Sequence, residues 1–169
     1  MLSLDELKTH IHYNPDTGVF TRLVKTSNRS LIGAVSGGYG AHGYYRVSLL
    51  GKRYYAHRLA WFYMYGEWPE EIDHVNGVRD DNRLSNLRLA SRRENCVNSP
   101  AKISNSSGFK NVSFNAERNK WMARGRHLGK RKNLGLFDTP EEAYQAWKRF
   151  ASSSDGEFFN PSLRWDTTK

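Results

Sequence analysis

The pattern of apolar and polar positions in the first hundred residues predicts short helices and short strands separated by polar turns. Ser3 and Glu6 have the spacing of a capping box, which starts a helix, and Ser91 and Glu94 repeat that spacing. A glycine-rich segment at 33–43 predicts a long loop. The predicted elements are, in order, a helix at 4–12, a strand at 19–23, a hairpin at 44–55 that turns near Gly51, a helix at 59–65, strands at 72–75 and 87–89, and a helix from Arg92.

The last third of the chain predicts a small sheet followed by one helix. Strand patterns lie at 109–114, 120–126 and 132–137. Thr139 has the position of an N-cap, and Pro140 and Glu142 suit the first turn of the helix that follows. The apolar residues of that helix recur at helical spacing and form a stripe to lie on the sheet: Ala143, Ala146, Trp147 and Phe150. The expected fold class is α+β.

Composition excludes a membrane protein and a disulfide-stabilised one. The chain has 169 residues, with 38% hydrophobic residues and a mean hydropathy of −0.75, and no apolar run is long enough to span a bilayer. The first residues show no secretory signal, so a cytoplasmic location is expected, in a bacterial host cell if the protein is encoded by a phage. Cys96 is the single cysteine, which excludes an internal disulfide and a Cys-based zinc site, and we expect it to be a small buried packing residue.

The distribution of charge points to a polyanionic partner. The net charge is +9, and residues 101–169 contribute +6 of it. From Arg118 to Lys132 there are seven basic residues and no acidic one. Arg124 and Arg126 are two apart, so on a strand they share one face, which suits either DNA contact or simple solvation. Charge alone leaves these two interpretations open.

One set of side chains suggests hydrolysis of a phosphodiester. Asp73 and His74 close a predicted strand, and Asn95 lies in the first turn of a helix about twenty residues later. A carboxylate and an amide oxygen suit Mg²⁺, which keeps several waters and takes other ligands from substrate phosphates. A neighbouring imidazole suits proton removal from water near neutral pH. The alternative is an ordinary Asp-His turn in a polar loop.

The spacing of short blocks resembles the motif of HNH endonucleases, most closely those of phages and mobile introns. The resemblance implies a ββα-metal (His-Me finger) nuclease core that binds one divalent ion, Mg²⁺ or Mn²⁺. It further implies that His74 is the general base, that Asp73 and Asn95 are the metal ligands, and that the Asn86 side chain steadies the histidine. Asn95 stands where many members have a histidine. The blocks are Ile72 to Gly77, Asp81 to Arg88, Glu94-Asn95, and upstream His57 to Trp61 and Gly66 to Pro69.

The carboxy-terminal third resembles an Apetala-type DNA-binding domain, in blocks that include Ser107 to Ser113, Lys120 to Ala123 and Leu134 to Thr139. This resemblance implies a three-stranded antiparallel sheet that reads the major groove of double-stranded DNA and is braced by one helix. The positions that match its contact face are Lys110, Ser113, Trp121, Arg124 and Arg126, with Lys130 and Lys132 nearby. Around the HNH-like motif, Arg88, Arg92 and Arg93 suit contact with phosphate, and a solvated helix face is the alternative for at least one of them.

These observations together predict a metal-dependent DNA endonuclease of the homing type with a tethered recognition module. The predicted organisation is an N-terminal β-rich segment at 1–55, a nuclease core at 56–99, a linker at 100–107, a DNA-binding domain at 108–160 and a tail at 161–169. No organic cofactor is expected, and the protein is expected to be a monomer or a weak dimer. The alternatives are a DNA-binding regulator without nuclease activity and an RNA-binding or RNA-cutting protein.

Overall fold

The computed structural model describes residues 2–27, 30–99, 105–127, 129–154 and 158, and the chain divides into two compact units, 1–95 and 96–169. The mixture of helix and sheet is consistent with the α+β class. Within the described residues, no helix is long and apolar enough to cross a membrane. The helices are α1 (Leu4–His10), α2 (Ala56–Tyr65), α3 (Arg92–Asn98) and α4 (Pro140–Ser154). The strands are β1 (Ile11–Tyr13), β2 (Phe20–Arg22), β3 (Gly38–Tyr39), β4 (Tyr45–Leu49), β5 (Lys52–Tyr55), β6 (Ile72–His74), β7 (Leu87–Leu89), β8 (Val112–Asn115), β9 (Lys120–His127) and β10 (Lys130–Phe137).

The first unit is built around one apolar core. Helix α1 packs against α2 and β1, and α2 also packs against β4 and β5. The β6–β7 ribbon contributes Ile72 and Leu87 to the same core. The core residues are Leu7, Ile11, Tyr13, Phe20, Val47, Leu49, Ala56, Leu59, Ala60, Phe62, Ile72 and Leu87. Each large apolar side chain buried in this way contributes about 1.5–3 kcal/mol to folding. This core therefore fixes β6 and β7, which carry the predicted chemistry, against the helices.

The first helix is shorter than predicted. The capping box of Ser3 and Glu6 is present and starts α1, but the helix ends at His10. Ile11 and Tyr13 are buried and His12 between them is exposed, which is the two-residue period of a strand. Pairing of β1 with β2 buries both apolar side chains, and this tertiary gain outweighs continued helix. The predicted loop at 33–43 likewise contains a short strand, β3, which pairs with β4.

The N-terminal turn supports the polar loop between β6 and β7. The Tyr13 hydroxyl donates a hydrogen bond to the carbonyl oxygen of Asn82 at 2.8 Å, and the Leu84 amide donates to the Pro15 carbonyl oxygen at 2.9 Å. Gly18 has φ +73°, and a Cβ at this position would lie 2.5 Å from the backbone carbon of Asn82. Glycine is thus required here by both backbone conformation and close packing. Residues of the N-terminal turn therefore position the loop between β6 and β7.

The second unit consists of an antiparallel sheet in the order β10-β9-β8, with α4 packed on one side. The Thr139 hydroxyl accepts from the Glu142 amide at 3.2 Å, which confirms the predicted cap of α4. The predicted stripe faces the sheet, and Tyr144 and Ala151 join it in the core. A Cβ on Gly125 would lie 2.2 Å from the Phe150 ring, so this glycine lets α4 approach β9 closely.

The structure places Cys96 differently from the prediction. Cys96 is exposed, so the expectation that it is buried is wrong. It lies on α3, whose described residues place only Asn98 in the interior. The predicted tail at 161–169 and residues 100–104 of the predicted linker lie outside the described residues.

Candidate active site

The centre of the first unit is a ββα arrangement of β6, β7 and α3. The strands are antiparallel, with Asp73 opposite Arg88 and His74 opposite Leu87. The predicted capping box starts α3, since the Ser91 amide donates to Glu94 Oε2 at 2.7 Å and the Glu94 amide donates to Ser91 Oγ at 3.3 Å. The sequence thus placed both strands and the helix start correctly.

Asp73 is buried and forms an ion pair with its cross-strand neighbour. Arg88 Nε and Nη2 lie 2.8 and 2.7 Å from the same carboxylate oxygen, Oδ2. Only 5% of Asp73 is exposed. A buried carboxylate needs such a partner because removing one member of a buried pair leaves an uncompensated charge, which costs about 3–5 kcal/mol. Arg88 was predicted to contact phosphate; what the structure shows is that its guanidinium balances the charge of Asp73.

Asn95 reaches the same face of the ribbon through Glu71. Its Nδ2 donates a hydrogen bond to Glu71 Oε2 at 2.8 Å. Glu71 lies two residues before Asp73, and the Ala90 amide donates to the Glu71 carbonyl, so the extended pairing of the ribbon continues to this residue. Side chains two apart on an extended strand share a face. The Asp73 carboxylate and the Glu71 carboxylate, to which the Asn95 amide is hydrogen-bonded, therefore lie on one face of the ribbon.

His74 is buried on the other side of the strand. Its ring centroid lies 5.0 Å from that of His57 and 6.1 Å from that of Tyr44. Burial lowers the pKa of His74, an effect opposed by the Asn82 side chain and by the negative charge of Asp73. The imidazole is therefore neutral at neutral pH, which is the form that can accept a proton.

Asn86 holds the loop that links the two strands. Its Oδ1 accepts from the Asn76 amide at 3.0 Å, and its Nδ2 donates to the Asp81 carbonyl oxygen at 2.8 Å. Its own carbonyl accepts from the Val75 amide, next to His74. Asp81 in turn pairs with Arg83, whose guanidinium lowers the pKa of that carboxyl to about 2. The side chain predicted to steady the histidine thus bonds across the loop that follows it.

His57 is expected to make the stability of the first unit depend on pH. Burial, together with repulsion from His74 and Arg58, lowers the pKa of His57 to about 3. The unfolded chain therefore binds a proton below pH 6.5 that the folded chain excludes, so stability is full above pH 6.5 and falls as pH drops toward 3. Replacing His57 with phenylalanine removes this contribution, and the wild-type protein is expected to lose roughly 2 kcal/mol more stability than the variant between pH 8 and pH 5.

Urea unfolding of both proteins at pH 8, 6.5 and 5 measures this difference. At pH 8 His57 and His74 are neutral in the folded and in the unfolded chain. The difference in stability between the two proteins at this pH therefore measures only the packing effect of the substitution. Equal slopes of stability against pH in the two proteins would contradict the role given to His57.

The ligand set of this site is small. Within the described part of the chain, no three His, Cys, Asp or Glu side chains come together to hold a metal ion by themselves. Asp73 and Asn95 offer hard oxygen atoms on one face, which fits a divalent ion that takes most of its ligands from water and phosphate. Mg²⁺ and Mn²⁺ have this preference, whereas softer ions favour nitrogen and sulfur.

The predicted DNA-contact residues of the second unit divide between three places. Arg124 and Arg126 are exposed on the side of the sheet away from α4, and Ser113 shares that side because it pairs with Met122. Asn133 and Arg131 lie opposite Arg124 and Arg126 across the β9–β10 pairing. We call this surface the open sheet face; it comprises Ser113, Arg124, Arg126, Arg131 and Asn133.

Other predicted contact residues lie elsewhere. Lys132 pairs with Gly125 on the α4 side, where its ammonium lies 5.7 Å from the centroid of the Phe150 ring, and Lys130 shares that side by alternation. Trp121 packs against the core. The Lys110 ammonium donates to carbonyl oxygens at the end of α3, including that of Val97 at 2.9 Å. Arg92 and Arg93 are exposed on α3.

Sequence reasoning missed Glu71, Arg131 and Asn133 as members of these surfaces. Glu71 had a usable signal, because it stands two residues before Asp73 in an extended segment. Arg131 and Asn133 had none, because their face depends on strand pairing and on a shift in register between Asn133 and Gly135.

Comparison with known proteins agrees with the central site. The chain is 39% identical to Protein 3.8 of Escherichia phage T7 over 70 residues, which cover 41% of this chain and 58% of that protein. The match thus spans a little over half the length of the relative. No solved structure matches the chain. Residues 54–97, which contain β6, β7 and most of α3, match the HNH endonuclease family. Residues 54–97 of this chain are thus similar to an HNH endonuclease domain.

Proposed function

We propose that this protein is a divalent-metal-dependent HNH endodeoxyribonuclease of the homing type, whose second unit binds double-stranded DNA. The observation that carries the proposal is the ribbon at residues 72–89, which presents Asp73 with Asn95 on one side and a neutral His74 on the other. An in-line displacement at phosphorus needs the attacking and leaving oxygens on opposite sides. We infer that a phosphate at the end of β6 could have His74 near its attacking oxygen and the cation of Asp73 and Asn95 near its leaving oxygen.

The part proposed for His74 is removal of a proton from the attacking water. Its neutral form has a lone pair for that proton, and the rings of His57 and Tyr44 restrict its orientation. Asn86 holds the backbone that follows His74 through its bonds to Asn76 and Asp81. Packing against His57 and Tyr44, together with the loop between β6 and β7, thus restricts the orientation of the His74 ring.

The part proposed for Asp73 and Asn95 is to hold one Mg²⁺ or Mn²⁺. When bound, such an ion neutralises charge on the phosphate and on the leaving 3′ oxygen. Arg88 keeps the buried carboxylate compensated before an ion arrives. The exposed Arg92 and Arg93 on α3 supply positive charge for neighbouring phosphates.

The experiment that tests the function is nicking of supercoiled plasmid. We expect conversion to the open-circular form with Mg²⁺ or Mn²⁺, and no conversion when EDTA is present. Several plasmids are needed because cleavage depends on the target sequence. Absence of metal-dependent nicking on all of them, together with retained DNA binding, would replace this proposal with the DNA-binding regulator.

A further inference from the structure

We propose that Glu71 is a positioning residue that turns the Asn95 amide so that its carbonyl oxygen, and not its NH₂ group, is left for the divalent cation. The inference rests on the proposed metal-dependent nuclease. It concerns a residue outside the predicted set of Asp73, His74, Asn86 and Asn95. The juxtaposition that carries it is the 2.8 Å contact between Asn95 Nδ2 and Glu71 Oε2.

The two ends of an asparagine amide have nearly the same shape and opposite polarity. Its oxygen accepts hydrogen bonds and binds cations, whereas its NH₂ group only donates. A carboxylate only accepts, so the end of Asn95 that faces Glu71 must be the NH₂ group. The oxygen of Asn95 is therefore directed away from Glu71. No other assignment of the amide would satisfy this contact.

The fold keeps this contact in place from both sides. Asn95 lies in the first turn of α3, where its backbone amide donates to the Ser91 carbonyl oxygen at 3.0 Å. Glu71 is partly buried and immediately precedes β6, which the pairing of Ile72 with Leu89 fixes. Glu71 and Asp73 share one face of the ribbon. The Glu71 carboxylate thus orients Asn95, one proposed ligand, and lies two residues before Asp73, the other proposed ligand.

The orientation matters because the protein offers few ligands. The two proposed protein ligands are an oxygen of Asp73 and the amide oxygen of Asn95. If the Asn95 amide is flipped, its NH₂ group faces the cation and one of these two ligands is lost. Residues that orient metal ligands typically change metal affinity by about 10- to 100-fold when they are replaced. We expect a loss of that size when Glu71 can no longer accept from Asn95.

The test measures Mn²⁺ binding to the full-length protein without DNA, by counting free Mn²⁺ from its electron paramagnetic resonance signal. Glu71→Ala is expected to weaken binding about 10- to 100-fold. Glu70→Ala is the matched control, because it removes the same charge from the neighbouring, exposed residue. It is expected to leave binding within about twofold of wild type. If Glu71→Ala does not fold, Glu71→Met makes the same comparison with a side chain of similar length.

A second background separates positioning from direct participation. In an Asn95→Asp variant the side chain has two oxygens and no donor end, so it needs no orientation and is repelled by Glu71. Adding Glu71→Ala to that variant is expected to leave Mn²⁺ binding unchanged or to improve it. An equal loss in both backgrounds would show that Glu71 acts as a ligand or through its charge. An unchanged affinity for Glu71→Ala alone would also overturn the inference.

Failure of the inference differs from failure of the proposed function. If the function is wrong, plasmid is not nicked and Mn²⁺ binding does not respond to Asp73→Ala. If only the positioning role is wrong, nicking persists and binding responds to Asp73→Ala but not to Glu71→Ala.

Discussion

Replacing His74 with alanine is expected to slow DNA cleavage by about 10²- to 10⁴-fold, the range typical for loss of a general base, while DNA affinity stays near the wild-type value. The reason is that His74, buried beside His57 and Tyr44, is the imidazole to which proton removal is assigned, and burial keeps it neutral. Its proposed work is proton transfer, which affects the transition state more than binding. Cleavage rates under single-turnover conditions and an electrophoretic binding assay measure the two quantities separately.

Two controls accompany this prediction. Substituting alanine leaves a space beside the ring of His57, so added imidazole is expected to restore part of the activity if the lost function is proton transfer. His12→Ala is the matched control, because His12 is an exposed histidine on the β1–β2 hairpin. A large loss of DNA affinity in His74→Ala, with thermal unfolding unchanged, would contradict the role assigned to His74.

Replacing Arg124 and Arg126 together with alanine is expected to weaken binding to DNA at least about tenfold at low salt. If each guanidinium contacts one phosphate, the slope of log affinity against log salt concentration falls by about 2. The reason lies in the open sheet face, where both residues are exposed and Arg131 adds a third charge opposite Arg126. Binding titrations at several salt concentrations measure the slope.

Lys132→Ala is the matched control for the open sheet face. It removes an exposed cation from the same sheet, but on the side of α4, where its ammonium lies near the Phe150 ring. We expect the salt slope of this variant to stay within about 0.5 of the wild-type slope, since no phosphate contact is assigned there. If Lys132→Ala lowers the slope and the double variant does not, the α4 side of the sheet is the binding surface.

Local signals in the sequence predicted much of the secondary structure. The three capping boxes start α1, α3 and α4, because each depends on two residues three positions apart. The hairpin of β4 and β5 forms where Leu50 and Gly51 both have positive φ, the backbone shape of a tight two-residue turn. Prediction failed at Ile11 and His12, where pairing with β2 and burial of Ile11 favour strand over continued helix.

The same difference holds for the segment of β6, β7 and α3: the sequence predicted its elements, but not the contacts between its side chains. The resemblance carried by the spaced blocks pointed to Asp73, His74, Asn86 and Asn95 as site residues, and their roles stay predictions. The sequence did not predict the partner of each side chain, which is Arg88 for Asp73, His57 for His74 and Glu71 for Asn95. These partners set charge balance, ring orientation and amide direction.

The sequence by itself therefore determined most of the helices and strands, the position of the ββα arrangement and the concentration of positive charge in the last third of the chain. Only the tertiary structure decided which cations share a face and which neighbours tune the site. The cross-strand pairs Arg126–Arg131 and Gly125–Lys132 illustrate the point, because a one-residue change of register would exchange the sides of the sheet on which their side chains lie. Helix caps and turns are fixed by neighbours along the chain, whereas faces and side-chain partners are fixed by pairing between distant segments.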